Sequence, residues 1–118
     1  MLTFFTFAPV KTGNIPVERR IEAFAALGSV MREGSEGAGT GPAGRLSSLA
    51  DTLFLSNAWF TPENVRRALS AVGNALTREK IDRWLSAYPS IQEEHEPLTV
   101  GVVMAGNIPM VGFHDLLC

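Results

Sequence analysis

Residues 98–118, LTVGVVMAGNIPMVGFHDLLC, decide how this chain is read. The run Leu98-Thr99-Val100-Gly101-Val102-Val103-Met104-Ala105 is almost unbroken in apolar side chains. It is rich in β-branched residues and short for a helix, which predicts a strand. A strand apolar on both faces belongs in a parallel sheet covered by helices on each side. Gly106-Asn107 breaks the run, Pro109 suits the first turn of a helix, and Met110, Val111 and Phe113 resume the apolar pattern. Strand, tight glycine-containing turn and helix are how a nucleotide-binding α/β domain opens. A doubly covered strand needs neighbours, and nothing else in the last third of the chain resembles one. The chain is therefore expected to be part of a larger enzyme.

Upstream of the strand the pattern changes to helical spacing. The acidic link Gln92-Glu93-Glu94-His95-Glu96-Pro97 leads into it. Before that, Thr77 is a candidate cap for a helix carrying Ile81, Trp84, Leu85 and Tyr88, ended by Pro89. Thr61-Pro62-Glu63 joins a capping hydroxyl, a proline at the first position and an acid in the first turn, and Val65, Leu69, Val72 and Leu76 follow as a stripe. A helix over 45–57 would align Leu46, Leu49, Ala50 and Leu53. Another, near 17–32, starts at Pro16 with Asn14 or Thr12 as cap and sets Ile21, Phe24, Ala25, Gly28 and Met31 on one face. Between these two lies EGSEGAGTGPAG, residues 33–44, whose glycines and scarce apolar side chains predict a flexible loop. A phosphate-binding reading of that run lacks both a preceding strand and a following GK[ST]. Residues 1–12 read as an irregular or strand-like arm. The expected organisation is a helical region over 1–97, then the first strand-turn-helix of a Rossmann-like parallel sheet over 98–118. The fold class is α/β, mostly α in this span.

Composition narrows the classes. The chain has 118 residues, 46% apolar and 19% charged, which is globular rather than disordered. A formal charge of −2 gives no reason to expect nucleic acid or an anionic membrane as partner. One cysteine excludes an internal disulfide and fits a reducing, cytoplasmic setting. The apolar start, residues 1–10, lacks a basic n-region and meets Pro9 early, so it does not read as a signal peptide. Residues 98–113 fall short of a membrane span.

Asn107 is the strongest candidate for chemistry. Acyl transfer builds negative charge on a carbonyl oxygen, and one preorganised N–H donor there is worth about 3–4 kcal/mol of barrier. A turn at the carboxyl end of a parallel strand is where an α/β sheet presents such a group. From spacing alone, Asn107 can equally be a residue suited to a left-handed turn. Cys118, the single thiol, follows Leu116-Leu117 in a helical pattern where a buried, inert cysteine is usual. His114 and Asp115 are adjacent, so on a helix they diverge and form no dyad. His95 reads as solvated, and no second ligand sits at metal spacing, so no metal is expected. Trp59, Trp84 and Tyr88 are expected to pack. Arg66, Arg67, Arg78 and Lys80 read as ordinary helix faces.

The stretch VGVVMAGNIPMVGFHDLLC, residues 100–118, resembles the hallmark of acyl-CoA reductases of the LuxC type, a branch of the aldehyde dehydrogenase superfamily. Trp59-Phe60-Thr61-Pro62-Glu63-Asn64-Val65 and Trp84-Leu85-Ser86-Ala87-Tyr88 resemble it too, and the similarity extends over about residues 21–118. The resemblance implies an aldehyde-dehydrogenase-like fold and reduction of a fatty acyl thioester, acyl-CoA or acyl-protein, to the aldehyde. NADPH is the implied reductant and a cysteine acyl-enzyme the intermediate. It implies that Asn107 is the oxyanion donor, by likeness to a Trp-Asn-Phe-Pro turn; Gly106 and Ile108 here depart from that pattern. It also implies that Gly106, Asn107, Ile108 and Pro109 shape the nicotinamide end of the cofactor site. The catalytic cysteine and most of the cofactor site would then belong to the remainder of the reductase chain. A rival from another class is a small helical interaction module without catalytic activity.

Overall fold

The computed structural model describes residues 15–92 and 108–112. Those residues form a layer of four helices: α1 (Val17–Ser35), α2 (Gly41–Thr52), α3 (Pro62–Ala75) and α4 (Arg78–Leu85). Short 3-10 turns follow α2 at Leu53–Leu55 and α4 at Pro89–Gln92. Among the described residues there is no strand, and no helix is long and apolar enough to cross a membrane. The strand expected over 98–105 lies outside them.

Each helix start has a local cause. Pro16 stands at the N-cap of α1 in an extended conformation, and Glu18 places an acid in the first turn, where the helix dipole favours it. The caps expected from Asn14 and Thr12 lie outside the described residues. α3 begins as the Thr61-Pro62-Glu63 pattern predicts: the Thr61 hydroxyl accepts from the Asn64 N–H at 3.2 Å. Asn57 Oδ1 accepts from the Trp59 N–H at 3.0 Å, and the Asn64 amide donates to the Trp59 carbonyl at 3.3 Å, so the link into α3 is tied at several points. Thr77 precedes α4 as expected but makes no side-chain cap bond. That helix ends at Leu85, short of Pro89, which instead opens the second 3-10 turn.

The glycine-rich run over 33–44 is not one loop. Residues 33–35 finish α1, residues 41–44 begin α2, and only 36–40 connect them. Gly37, Gly39 and Gly41 carry positive φ angles of 75°, 99° and 58°, the left-handed region that glycine enters without steric cost. The glycines are thus needed to turn the chain sharply between two packed helices. Ala43, inside the expected loop, is 2% exposed. The stripe expected for α2 shifts accordingly: Ala43 and Ala50 are buried and Leu46 and Leu53 half-buried, while Leu49 stands 50% exposed.

The core gathers Met31 of α1, Ala50 of α2, and Val65 and Leu69 of α3, with Leu27, Leu46, Leu53, Phe60, Val72, Leu76 and Met110 packed around them. Its tightest point is the crossing of α1 and α3 at Gly28 and Gly73, both buried. A Cβ on Gly28 would stand 2.5 Å from the Leu76 carbonyl oxygen, and one on Gly73 would stand 2.9 Å from the Gly28 carbonyl oxygen. A glycine inside a helix costs about 0.5–1 kcal/mol relative to alanine, and here it lets two backbones meet. The Arg32 guanidinium crosses the same contact and donates to the Gly73 carbonyl oxygen.

Candidate functional site

Of the turn expected to carry the chemistry, Gly106 and Asn107 lie outside the described residues. Ile108 and Pro109 lie within them, Ile108 exposed and Pro109 half-buried. The helix expected to begin at Pro109 is not found over 109–112, where the chain forms turns. The Val111 N–H donates to the Ile108 carbonyl oxygen at 3.3 Å, closing a four-residue turn with Pro109 and Met110 at its centre. Met110 has φ 62°. Proline cannot take a positive φ, so a turn with Pro at its second position and a positive φ at its third is type II. Pro109 suits that role as well as it suits a helix start, because its fixed φ fits both.

Met110 occupies a position that glycine or asparagine normally fills. It is the one non-glycine residue with positive φ among those described. A side chain held there costs roughly 1–2 kcal/mol. The Met110 side chain is half-buried against the cluster of Met31, Ala50, Val65 and Leu69. Withdrawing part of a methionine from water recovers about 1 kcal/mol, comparable in size to that strain. Gly112, at φ 75°, then carries the chain out of the turn. The turn therefore meets the core cluster through the half-buried Met110 side chain, while Ile108 and Val111 are exposed. Periodicity pointed to Met110 only as the start of a helix; the signal for the turn was a proline followed after two residues by glycine.

The other candidates separate. Cys118, His95, His114 and Asp115 lie outside the described residues. Among the residues described, no group of three His, Cys, Asp or Glu side chains could hold a metal. Trp59, Trp84 and Tyr88, expected to pack, are 70%, 41% and 51% exposed. Trp84 and Tyr88 instead lean on each other, ring centroids 5.5 Å apart and planes tilted by 60°. Leu55 at 76% and Phe54 at 45% add to the exposed apolar surface.

The basic residues are engaged in surface pairs. Arg66 meets Asp51 at 2.7 Å, Arg67 meets Glu63 at 3.8 Å, and the Lys80 ammonium donates to the Asn74 carbonyl oxygen at 2.6 Å. Arg78 bridges helices by reaching Glu18 at 2.6 Å and Asp82 at 2.8 Å. The hydrogen bonds it donates, to Glu18 first and to Asp82 second, raise its pKa above the ordinary value. Exposed pairs of this kind add little stability, and they leave these cations already satisfied. Beside the glycine-rich turn, a shallow groove of about 790 Å³ is lined by Gly37, Gly39, Gly41, Arg45, Ser48 and Thr52 among others. Among the described residues no charged side chain is buried, and the one charged residue lining the groove, Arg45, is exposed.

Comparison of the chain with protein-family models, with curated proteins and with solved structures returned no match.

Proposed function

We propose that this chain is the N-terminal part of an NADPH-dependent acyl-CoA reductase that reduces a fatty acyl thioester to the aldehyde. The observation that carries the reading is the stretch over 100–118, in which Asn107 stands between an apolar, β-branched run and Ile108-Pro109. In this reading the aldehyde-dehydrogenase-like α/β fold is completed by the strand over 98–105 and by the rest of the reductase chain.

The chemistry assigned to Asn107 follows from charge. When a cysteine thiolate attacks the thioester carbonyl, its π electrons move onto oxygen, and the Asn107 amide donates to that oxygen as it becomes anionic. A donor fixed beforehand needs no reorganisation at the moment of reaction, which makes the interaction stronger in the transition state than in the ground state. NADPH, when bound, supplies the hydride. In this reading exposed Ile108 and the half-buried Pro109 beside it are the apolar residues that would border the nicotinamide. Their share of the site is to shape that border and keep water from it.

Single-turnover acylation of the complete reductase by a long-chain acyl-CoA tests the reading. Asn107→Ala should lower kcat by about two to three orders of magnitude with substrate affinity nearly level. Asn107→Asp should be worse, because a carboxylate repels the charge it would have to receive. Cys118→Ser should stay within a few-fold of wild type. Wild-type acylation by Asn107→Ala retires the oxyanion role, and selective loss in Cys118→Ser would move the nucleophile to Cys118. The 118-residue chain alone should consume no NADPH above background.

A second reading, a helical interaction module without catalysis, draws on the exposed Leu49, Phe54, Leu55, Trp59, Trp84 and Tyr88. Large apolar side chains mark a surface that meets another protein when they are exposed as one contiguous patch. The same kinetic series separates the two readings, because a module would give no acylation for any variant to lose.

A further inference from the structure

We propose that Met110 is a positioning residue, a half-buried anchor that sets where the turn carrying Ile108 and Pro109 sits against the helical layer. The inference rests on the reductase reading for its consequence in turnover, but its structural part stands apart from it. A type II turn with proline at its second position would form more readily with glycine at the third. Here the third residue is Met110 at φ 62°. Its backbone takes the strained value while its side chain packs against the cluster that Met31, Ala50, Val65 and Leu69 form. Ile108 and Val111, on either side, are 56% and 37% exposed. Local turn preference therefore works against Met110, and packing against the core cluster works for it. A residue kept against local preference by distant contacts fixes position rather than conformation. What it positions is the residue pair directly after Asn107 in the chain.

The substitution that distinguishes anchor from turn former is Met110→Gly. Glycine favours the turn and removes the anchor, so a residue needed only for the turn would be replaced without loss. In the 118-residue chain, methyl NMR should show contacts from the Met110 methyl to at least one methyl of Met31, Ala50, Val65 or Leu69. In the complete reductase, Met110→Gly should lower kcat by about one to two orders of magnitude, the scale expected for a catalytic group misplaced by ~1 Å. KM should stay level, and Met110→Leu, close in volume and equally tolerant of the backbone, should restore most of the turnover. Absence of the methyl contacts, or wild-type kcat in Met110→Gly, overturns the proposal. If Asn107→Ala proves inert, the oxyanion reading fails, and the anchor then stands or falls on the methyl contacts.

Discussion

Helices α3 and α4 look alike in sequence and end differently in structure. Each follows a threonine, carries an acid in its first turn and shows an apolar stripe at helical spacing. α3 buries Val65, Leu69 and Gly73 between α1 and α2, and Phe60 packs at its start. α4 buries only Ile81 and leaves Trp84 41% exposed, and Tyr88, just past its end, is 51% exposed. The stripe says which face of a helix is apolar; it does not say whether anything covers that face. Cover depends on close approach, and α3 gets it from glycines placed where two backbones cross. α4 touches the layer mainly at one isoleucine and through the Arg78 bridge to Glu18.

The sharpest break of this contrast is truncation within each stripe. Leu69 is 3% exposed, and Leu69→Ala should cost about 2–5 kcal/mol by urea denaturation, the range for a buried leucine whose cavity does not collapse. Trp84→Ala removes a larger side chain but one already 41% exposed, and should cost less than Leu69→Ala. The reverse order would mean that α4 is packed as firmly as α3. Next in size is Gly28→Ala. The added methyl collides with the Leu76 carbonyl rather than with a flexible side chain, so α1 and α3 must part; a loss of about 1–3 kcal/mol is expected. An unchanged melting temperature would show that the crossing is loose. The smallest effect compares the caps. Thr61→Ala should cost about 1 kcal/mol because its hydroxyl accepts from the Asn64 N–H, whereas Thr77→Ala should change stability little because Thr77 makes no such bond. Equal losses at both threonines would erase the distinction between the two helix starts.

What the sequence disclosed was the chemistry that acts within a few residues. Thr61, Pro62 and Glu63 mark a helix start because cap, ring and charge act locally, and Pro16 does the same for α1. The glycine-rich run misled because composition counts entropy, whereas the run is set by tertiary demands: left-handed backbone at Gly37, Gly39 and Gly41, and an alanine that must enter the core. The exposure of Trp59, Trp84 and Tyr88 was invisible for the reason α4 illustrates. At Pro109 one fixed φ serves two conformations, and the choice between helix and turn came from where the Met110 side chain could be buried. For the candidate site, sequence named Asn107 and its neighbours; the described structure adds Met110, which no periodicity distinguished from ordinary core.

The contact between Arg32 and Gly73 joins residues 41 apart along the chain. Drawing such a span closed costs on the order of 3 kcal/mol in chain entropy before any crossing contact is gained. α2 lies within that span and packs on α1, its neighbour in sequence, across a connection of only a few residues. Folding that docks α2 on α1 first shortens the loop still to be closed, so loop closure predicts a late glycine crossing. On that order Gly28→Ala should speed unfolding more than it slows folding, so the crossing would set how long the folded layer lasts more than how fast it forms.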